Sequence, residues 1–268
     1  MRICGSFLFW AKKKHGAAAR RELERESNNV ELQNRMTVNL AEPVTEEMPT
    51  DRFIAWTLER FSDQRMVITT SFGMEGCALI DMCASHGKPI TVVYLDTGFF
   101  FQQTLELKDR MAERYPHLRF VNRGTSLTPQ QQAEKYGDEL WKTNSDLCCK
   151  LRKVDPMYEV MAETDVWITG LRRSQSVARA NLQMIEWEWR YQALKISPLA
   201  KWERPEIVEY IKKHSVPYNV LHEQGYPTVG CTHCTRPVPG STLGDYSRAG
   251  RWSDSEKTEC GLHGGEGI

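Results

Sequence analysis

Five of the eight cysteines in this 268-residue chain form a pattern that can do chemistry. Cys148 and Cys149 are adjacent, Cys231 and Cys234 make a Cys-x-x-Cys pair, and Cys260 stands alone in Glu259-Cys260-Gly261-Leu262-His263. Four thiolates can hold a metal centre, which leaves the fifth free as a nucleophile. Zinc commonly sits on Cys-x-x-Cys pairs, and a ribbon site supplies two of them. Here one half is an adjacent pair, at or in a helix that begins near Asp146. Neighbours on a helix point roughly 100° apart, so both reach one centre only by straddling a larger object. An iron–sulfur cube meets that demand better than a single tetrahedral ion, with zinc as the competitor. Cys77 and Cys83 fall at helical spacing in an apolar segment and read as core thiols.

The tail around Cys260 carries the charge a thiolate needs. Arg248 and Arg251 lie shortly before it, and nearby guanidinium groups both stabilise a thiolate and clamp phosphate or sulfate oxygens. His263, three residues on, is placed to steady the thiolate or a leaving anion. A lone thiol beside a metal centre and an anion crevice reads as a mobile nucleophile that closes over bound substrate.

The crevice comes from alternating strand and helix signals. Strands are expected at Met66–Thr70, Ile90–Leu95, Leu118–Asn122, Val166–Thr169 and Tyr191–Ile196. Helices are expected at Phe53–Phe61 (with Thr50-Asp51 as N-cap), Glu75–Ser85, Phe101–Tyr115, Gln130–Tyr136, Cys148–Glu163 and Pro205–His214. Such alternation means βαβ units and a mainly parallel sheet with helices on both faces. Ligands in such sheets bind beyond the carboxyl ends of the strands. Three of those ends carry suggestive turns: Ser71-Phe72-Gly73-Met74-Glu75-Gly76, Leu95-Asp96-Thr97-Gly98 and Thr169-Gly170-Leu171-Arg172-Arg173. Together they outline one nucleotide-sized crevice, although the first lacks the Gly-Lys-Ser/Thr ending of a Walker loop.

The expected organisation is a loose, charged leader over residues 1–48, which includes Cys4 and an alternative start at Met36. A nucleotide- and metal-binding α/β domain follows over 49–240, then a mobile catalytic tail over 241–268. Lys plus Arg equals Asp plus Glu at 35 each, which argues against broad nucleic-acid binding while leaving room for a local basic pocket. No apolar run approaches the roughly 20 residues of a membrane span. The short apolar stretch Phe7–Trp10 precedes its lysines, the wrong order for a secretory signal. With this cysteine usage, the expectation is a cytoplasmic protein.

The stretches Ser71-Phe72-Gly73, Leu95-Asp96-Thr97-Gly98, Cys148-Cys149-Lys150-Leu151-Arg152-Lys153, Gly230-Cys231-Thr232-His233-Cys234-Thr235 and Glu259-Cys260-Gly261-Leu262-His263 resemble the iron–sulfur adenylylsulfate (APS) reductases. These belong to the assimilatory sulfonucleotide reductases. The resemblance covers roughly residues 50–263 and implies an adenine-nucleotide α-hydrolase-like fold. It implies reduction of APS to sulfite and AMP through an S-sulfocysteine on Cys260, with thioredoxin or an equivalent dithiol as reductant. It also implies a [4Fe–4S] cluster on Cys148, Cys149, Cys231 and Cys234. By the same resemblance Lys153, Arg248, Arg251 and His263 would neutralise the phosphosulfate, with Arg172 and Arg179 in the same pocket. Ser71, Phe72, Gly73, Leu95, Thr97 and Gly170 would line the adenosine and phosphate site. A homo-oligomer is compatible with the sequence.

This chain departs from the family pattern twice. Gly76 stands where many relatives are acidic, and Ser253-Asp254-Ser255 stands where relatives often carry tryptophans before a longer spacer. The nearest rival reading is the same reaction on 3′-phosphoadenylylsulfate (PAPS), whose dedicated reductases generally lack the four cluster cysteines. A tRNA-thiolating enzyme would show Ser-Gly-Gly-x-Asp-Ser, which Ser71 to Gly76 does not match. A non-catalytic regulator would have no use for Cys260.

Overall fold

The computed structural model describes residues 45–253, 257 and 259–263. Expectations for residues 1–44, and for the remainder of the tail, lie outside the described residues. The fold is built on a six-stranded sheet in the order β3-β2-β1-β4-β6-β5. Its strands are β1 Met66–Thr70, β2 Thr91–Tyr94, β3 Arg119–Asn122, β4 Val166–Thr169, β5 Ile185–Glu188 and β6 Ala193–Ile196. All neighbours are parallel except β5, which pairs antiparallel with β6. The expected parallel α/β sheet is therefore present, and β5 is an edge strand that the sequence reading missed. Its residues are half-buried throughout, so no clean two-residue alternation marks it.

Strand alternation divides the core in two. Val67, Val93, Leu95, Trp167 and Ala193 share one apolar cluster with Met157, Val160 and Met161. Those three methionine and valine side chains belong to the helix Asp155–Met161. Ile68, Val92 and Ile168 alternate to the opposite face and are fully buried. Of the helices α1 Thr50–Arg60, α2 Met74–Ala84, α3 Gln102–Arg114 and the later Arg204–His214, the first and last pack on α2, and the C-cap residue of α3 is tied to it. Asp81 of α2 accepts hydrogen bonds from Tyr115 and Tyr210, both at 2.6 Å.

Between β3 and β4 the chain makes α4 Pro129–Tyr136, α5 Leu140–Thr143, α6 Ser145–Cys149 and α7 Asp155–Met161, before α8 Arg204–His214 later in the chain. The expected single helix over Cys148–Glu163 is interrupted. Lys150–Val154 form a wider π-type turn between α6 and α7, a local widening often found at functional sites. α8 starts with Pro205 in its first turn, where a missing N–H is not missed. Among the described residues no helix is long and apolar enough to cross a membrane.

The chain runs β1, β2, β3 to one edge and then returns to place β4 on the other side of β1. That reversal leaves a crevice at the carboxyl ends of β1 and β4, where adjoining loops diverge.

Candidate active site

The turn after β1 is compressed. Phe72 has φ 57°, and its backbone N–H donates to Thr70 Oγ1 at 2.9 Å. Its ring is fully buried and packs on Tyr94 with centroids 5.4 Å apart. Phe72 is thus a backbone-shaping core residue, and its side chain does not line the adenosine site as expected. Gly76 explains one departure from the family pattern. A Cβ there would stand 2.5 Å from Thr70 Oγ1, so any side chain disturbs the turn. Gly170 lets the end of β4 pass the first turn of α2, since its Cβ would lie 3.2 Å from the Glu75 carbonyl group.

Glu75, in that first turn, is the residue sequence reasoning missed. It accepts from Arg172 Nη2 at 2.9 Å and Nε at 3.1 Å, and from Arg204 Nη1 at 3.2 Å. Burial alone would push its pKa up, but Arg204 and Arg172 outweigh it and hold the carboxyl below its ordinary value. Arg172 also donates to Ser174 Oγ and the Trp202 carbonyl. All its reach is spent inside the protein, so Arg172 supports the anion turn and does not face the cavity, contrary to expectation. The signal the sequence offered was an acid in the first turn of a helix.

Above these turns lies a cavity of about 210 Å³. Ser71, Gly73, Leu95 and Gly170, named above for the adenosine and phosphate site, line it at the strand ends. Lys153, Arg179, Arg248 and Arg251 bring positive charge to its wall, and Cys260 and His263 close it. Arg248 and Arg251 both lie over the Trp252 ring, at 5.4 and 4.4 Å. Gly230 leaves room for Arg251, because a Cβ there would meet its guanidinium at 2.6 Å.

The segment Glu259–His263 is folded into the body. Glu259 pairs with Arg179 at 2.9 Å and Arg248 at 3.3 Å, and accepts from Ser176 at 3.1 Å. Leu262 joins the apolar cluster of α7, and His263 stacks on Trp167 at 5.0 Å between centroids. Burial would raise the Cys260 pKa. Lys153, the Leu262 backbone N–H and Arg251 more than offset that, so the thiol lies below its ordinary value. His263 behaves in the opposite way. Burial, then Arg179, Lys195 and Arg248, hold its imidazole neutral well below the ordinary pKa. It can exchange a hydrogen bond but adds no positive charge, and its Nδ1 is buried without a hydrogen-bond partner among the described residues.

The other four motif thiols line a second, smaller pocket with Phe99, Trp141, Arg152 and His233. Lys153 and Trp252 line this pocket too, so it adjoins the first cavity through shared residues. Burial pushes up the thiols of Cys148, Cys234 and, to about 12, Cys149. Thr97 belongs to this pocket's surroundings, with Oγ1 3.3 Å from Cys231 Sγ and its carbonyl accepting from Arg152 Nη1 at 2.6 Å. Thr97, named above for the adenosine and phosphate site, does not line the first cavity. Arg152 is 2% exposed, lies 4.4 Å over the Phe99 ring and bonds Gln132 at 2.6 Å. Trp141 and His233 stack at 3.7 Å and 11°, forming an aromatic wall with Phe99. No three His, Cys, Asp or Glu side chains among the described residues converge on a single-ion site. The donor set is four thiols spread round one largely apolar pocket with basic residues in its wall. That chemistry fits a polynuclear thiolate-bound centre better than one hard cation.

A likeness to known proteins covers most of the chain. The chain is 46% identical to the adenosine 5′-phosphosulfate reductase of Halalkalibacterium halodurans, over 78% of this chain and 89% of that protein. It is 44% identical to the enzyme of the same name from Staphylococcus haemolyticus, over 78% of this chain and 85% of that protein. The crystal structure of phosphoadenylyl-sulfate (PAPS) reductase from Candida auris, a phosphate complex, superposes with a TM-score of 0.62 at 31% identity, covering 71% of this chain and 91% of that one. Candida glabrata FMN adenylyltransferase, solved with FMN and an ATP analogue, shares the fold alone, at 15% identity and TM-score 0.52 over 79% of this chain and 75% of that one. The phosphoadenosine phosphosulfate reductase domain model matches residues 65–237, from the start of β1 to just past the second cysteine pair, and the chain belongs to that family.

Proposed function

We propose that this protein reduces APS to sulfite and AMP through a covalent S-sulfocysteine on Cys260, as a thiol-dependent oxidoreductase of sulfate assimilation. The names of the curated relatives support the substrate. The observation that carries the chemistry is the lowered Cys260 thiol at the wall of a cavity that also presents Lys153, Arg179, Arg248 and Arg251.

In this reading the Cys260 thiolate attacks the sulfate sulfur in line with the bridging oxygen. The S–O bond breaks, and AMP leaves with the electron pair on its phosphate oxygen. Lys153 and Arg251 lower the cost of forming the thiolate, and the cavity arginines take up the negative charge shifted onto the phosphate. A dithiol such as thioredoxin then attacks Cys260 Sγ. Sulfite departs with the S–S electron pair, and the second thiol of the donor closes a disulfide and frees Cys260. Sulfur is reduced by two electrons and the dithiol oxidised by two. Neutral His263, held by its stack on Trp167, can accept a hydrogen bond beside Cys260.

Cys148, Cys149, Cys231 and Cys234 would hold a [4Fe–4S] cluster, which would supply a fixed local field beside Lys153 without serving as electron donor. The segment Glu259–His263 would open to admit nucleotide and again to meet the dithiol, in a cytoplasmic setting. The likeness to the Candida auris enzyme favours one second reading, the same reaction on PAPS.

Incubating anaerobically purified protein with APS and no thiol donor, then mapping its mass, tests the assignment. A sulfite-sized adduct on Cys260 with an equal amount of AMP is expected. Protein that binds APS but forms neither adduct nor AMP refutes it, and the same experiment with PAPS ranks the two nucleotides.

A further inference from the structure

Two separate grips hold the segment that carries Cys260. The first is Glu259 between Arg179, Arg248 and Ser176. Arg179 and Arg248 also line the cavity, so an anionic ligand placed there competes with Glu259 for them. That grip weakens when it is needed most. The second lies on the other side of the nucleophile. Arg190 Nη1 donates to the Gly261 carbonyl at 2.7 Å, and the Tyr191 hydroxyl donates to the Leu262 carbonyl at 3.1 Å.

Arg190 and Tyr191 sit in the turn between β5 and β6, and neither lines the nucleotide cavity. A ligand in the cavity therefore does not compete directly for these two donors. Both are made to backbone carbonyls, so they fix the path of the chain whatever side chain is present. Gly261 has φ +81°, a left-handed turn in which the two successive carbonyls meet two different donors. Tyr191 is rigidly held, 5% exposed and edge-on to both Trp167 (5.6 Å) and Tyr158 (5.1 Å). Trp167 is also the platform for His263.

We infer that Arg190 and Tyr191 are positioning residues, a substrate-independent clamp that holds Cys260 against the nucleotide cavity during the sulfur-transfer step. The inference rests on the proposed role of Cys260 as nucleophile. The clamp must release before a bulky dithiol protein can reach the sulfur, so it favours the first step at no benefit to the second.

Its test uses the full chain carrying Tyr191→Phe, Arg190→Met or Arg190→Lys. Hydrogen exchange of the peptide spanning residues 259–263 reads the clamp without any turnover. Losing one neutral hydrogen bond should raise exchange about 5-fold in Tyr191→Phe, and losing the charge-assisted one about 10-fold in Arg190→Met. Single-turnover adduct formation on Cys260 should slow by the same factors, AMP affinity should stay unchanged, and Arg190→Lys should recover part of both losses. Release of sulfite from preformed S-sulfo protein by a dithiol should not slow. Unchanged exchange and adduct rates overturn the clamp. So does a matching loss of AMP affinity, which would mean that the turn only supports the cavity. If wild-type protein forms no adduct with APS, the reductase reading falls, and the exchange data still decide whether the clamp exists.

Discussion

Removing the charge on Glu75 tests whether the anion turn is held from behind by arginines that never touch substrate. The side chains of Arg172 and Arg204 are 1% and 4% exposed, and both point at one Glu75 oxygen. Glu75→Gln keeps the volume and removes the counter-charge, leaving two guanidinium groups in a site without solvent. Breaking a buried pair by deleting one partner costs about 3–5 kcal/mol. For a domain of this size each kcal/mol moves the melting temperature by about 2–4 °C, so a fall of at least about 6 °C is expected in calorimetry. The pH dependence has a definite sign. Glu75 is held below its ordinary value of 4.5. Its stabilisation is therefore complete above that pH and is lost as pH falls through the folded value. The variant should lose that part of the acid dependence. Arg172→Met should also lower the melting temperature, and the two losses should fall well short of additive in the double variant. Above the melting losses, Arg172→Met should leave the KM for APS unchanged. A Glu75→Gln protein melting within about 2 °C of wild type, or an Arg172→Met protein with intact stability and a raised KM, would refute the reasoning.

His222 is buried, with Nδ1 2.7 Å from the Tyr226 carbonyl, and burial followed by Arg204 brings its pKa down to about 4. The unfolded chain takes up this proton near the ordinary 6.5, so stability should fall as pH drops from about 6.5 to 4, by up to about 3 kcal/mol. Denaturant titrations of His222→Asn, which keeps a donor to the carbonyl, should show that slope flattened, and an unchanged slope counts against it. Gly230→Ala places a Cβ where the Arg251 guanidinium now passes; steady-state kinetics should show KM for APS raised about 10-fold, as for one lost charged contact, with the melting temperature little changed. Trp141→Ala opens the aromatic wall of the four-thiol pocket. With the proposed cluster bound, the variant's iron–sulfur absorbance should bleach in air several-fold faster than that of wild type, whereas equal bleaching would show that the wall excludes nothing.

Much of this protein is written locally. Met66–Thr70, Val166–Thr169 and α8 beginning at its Pro205 turn stand where periodicity and capping chemistry put them. The five motif cysteines, Arg248 and Arg251 stand out by type and spacing, Lys153 entered only through the family resemblance, and the structure gathers all of them round two adjoining pockets. Other features were not legible. The π-type turn at Lys150–Val154 sends Arg152 inward to Gln132 and Thr97 while Lys153 faces Cys231 and Cys260. An ordinary helical reading of that stretch has no way to show such a division.

Arg172 shows the limit most plainly. Its sequence position, just past a strand end beside Gly170, suits a ligand contact as well as it suits a support. Only the fold brings Glu75 to it from 97 positions away. The same holds for Phe72 and Thr97, whose backbone positions border the site while their side chains turn elsewhere. Residue type and spacing determine which chemistry is available, since thiols, guanidinium groups and strand-end turns carry it in themselves. Which of those groups meets the substrate was decided by tertiary structure, because burial, counter-charge and the direction of a side chain are set by residues far away along the chain.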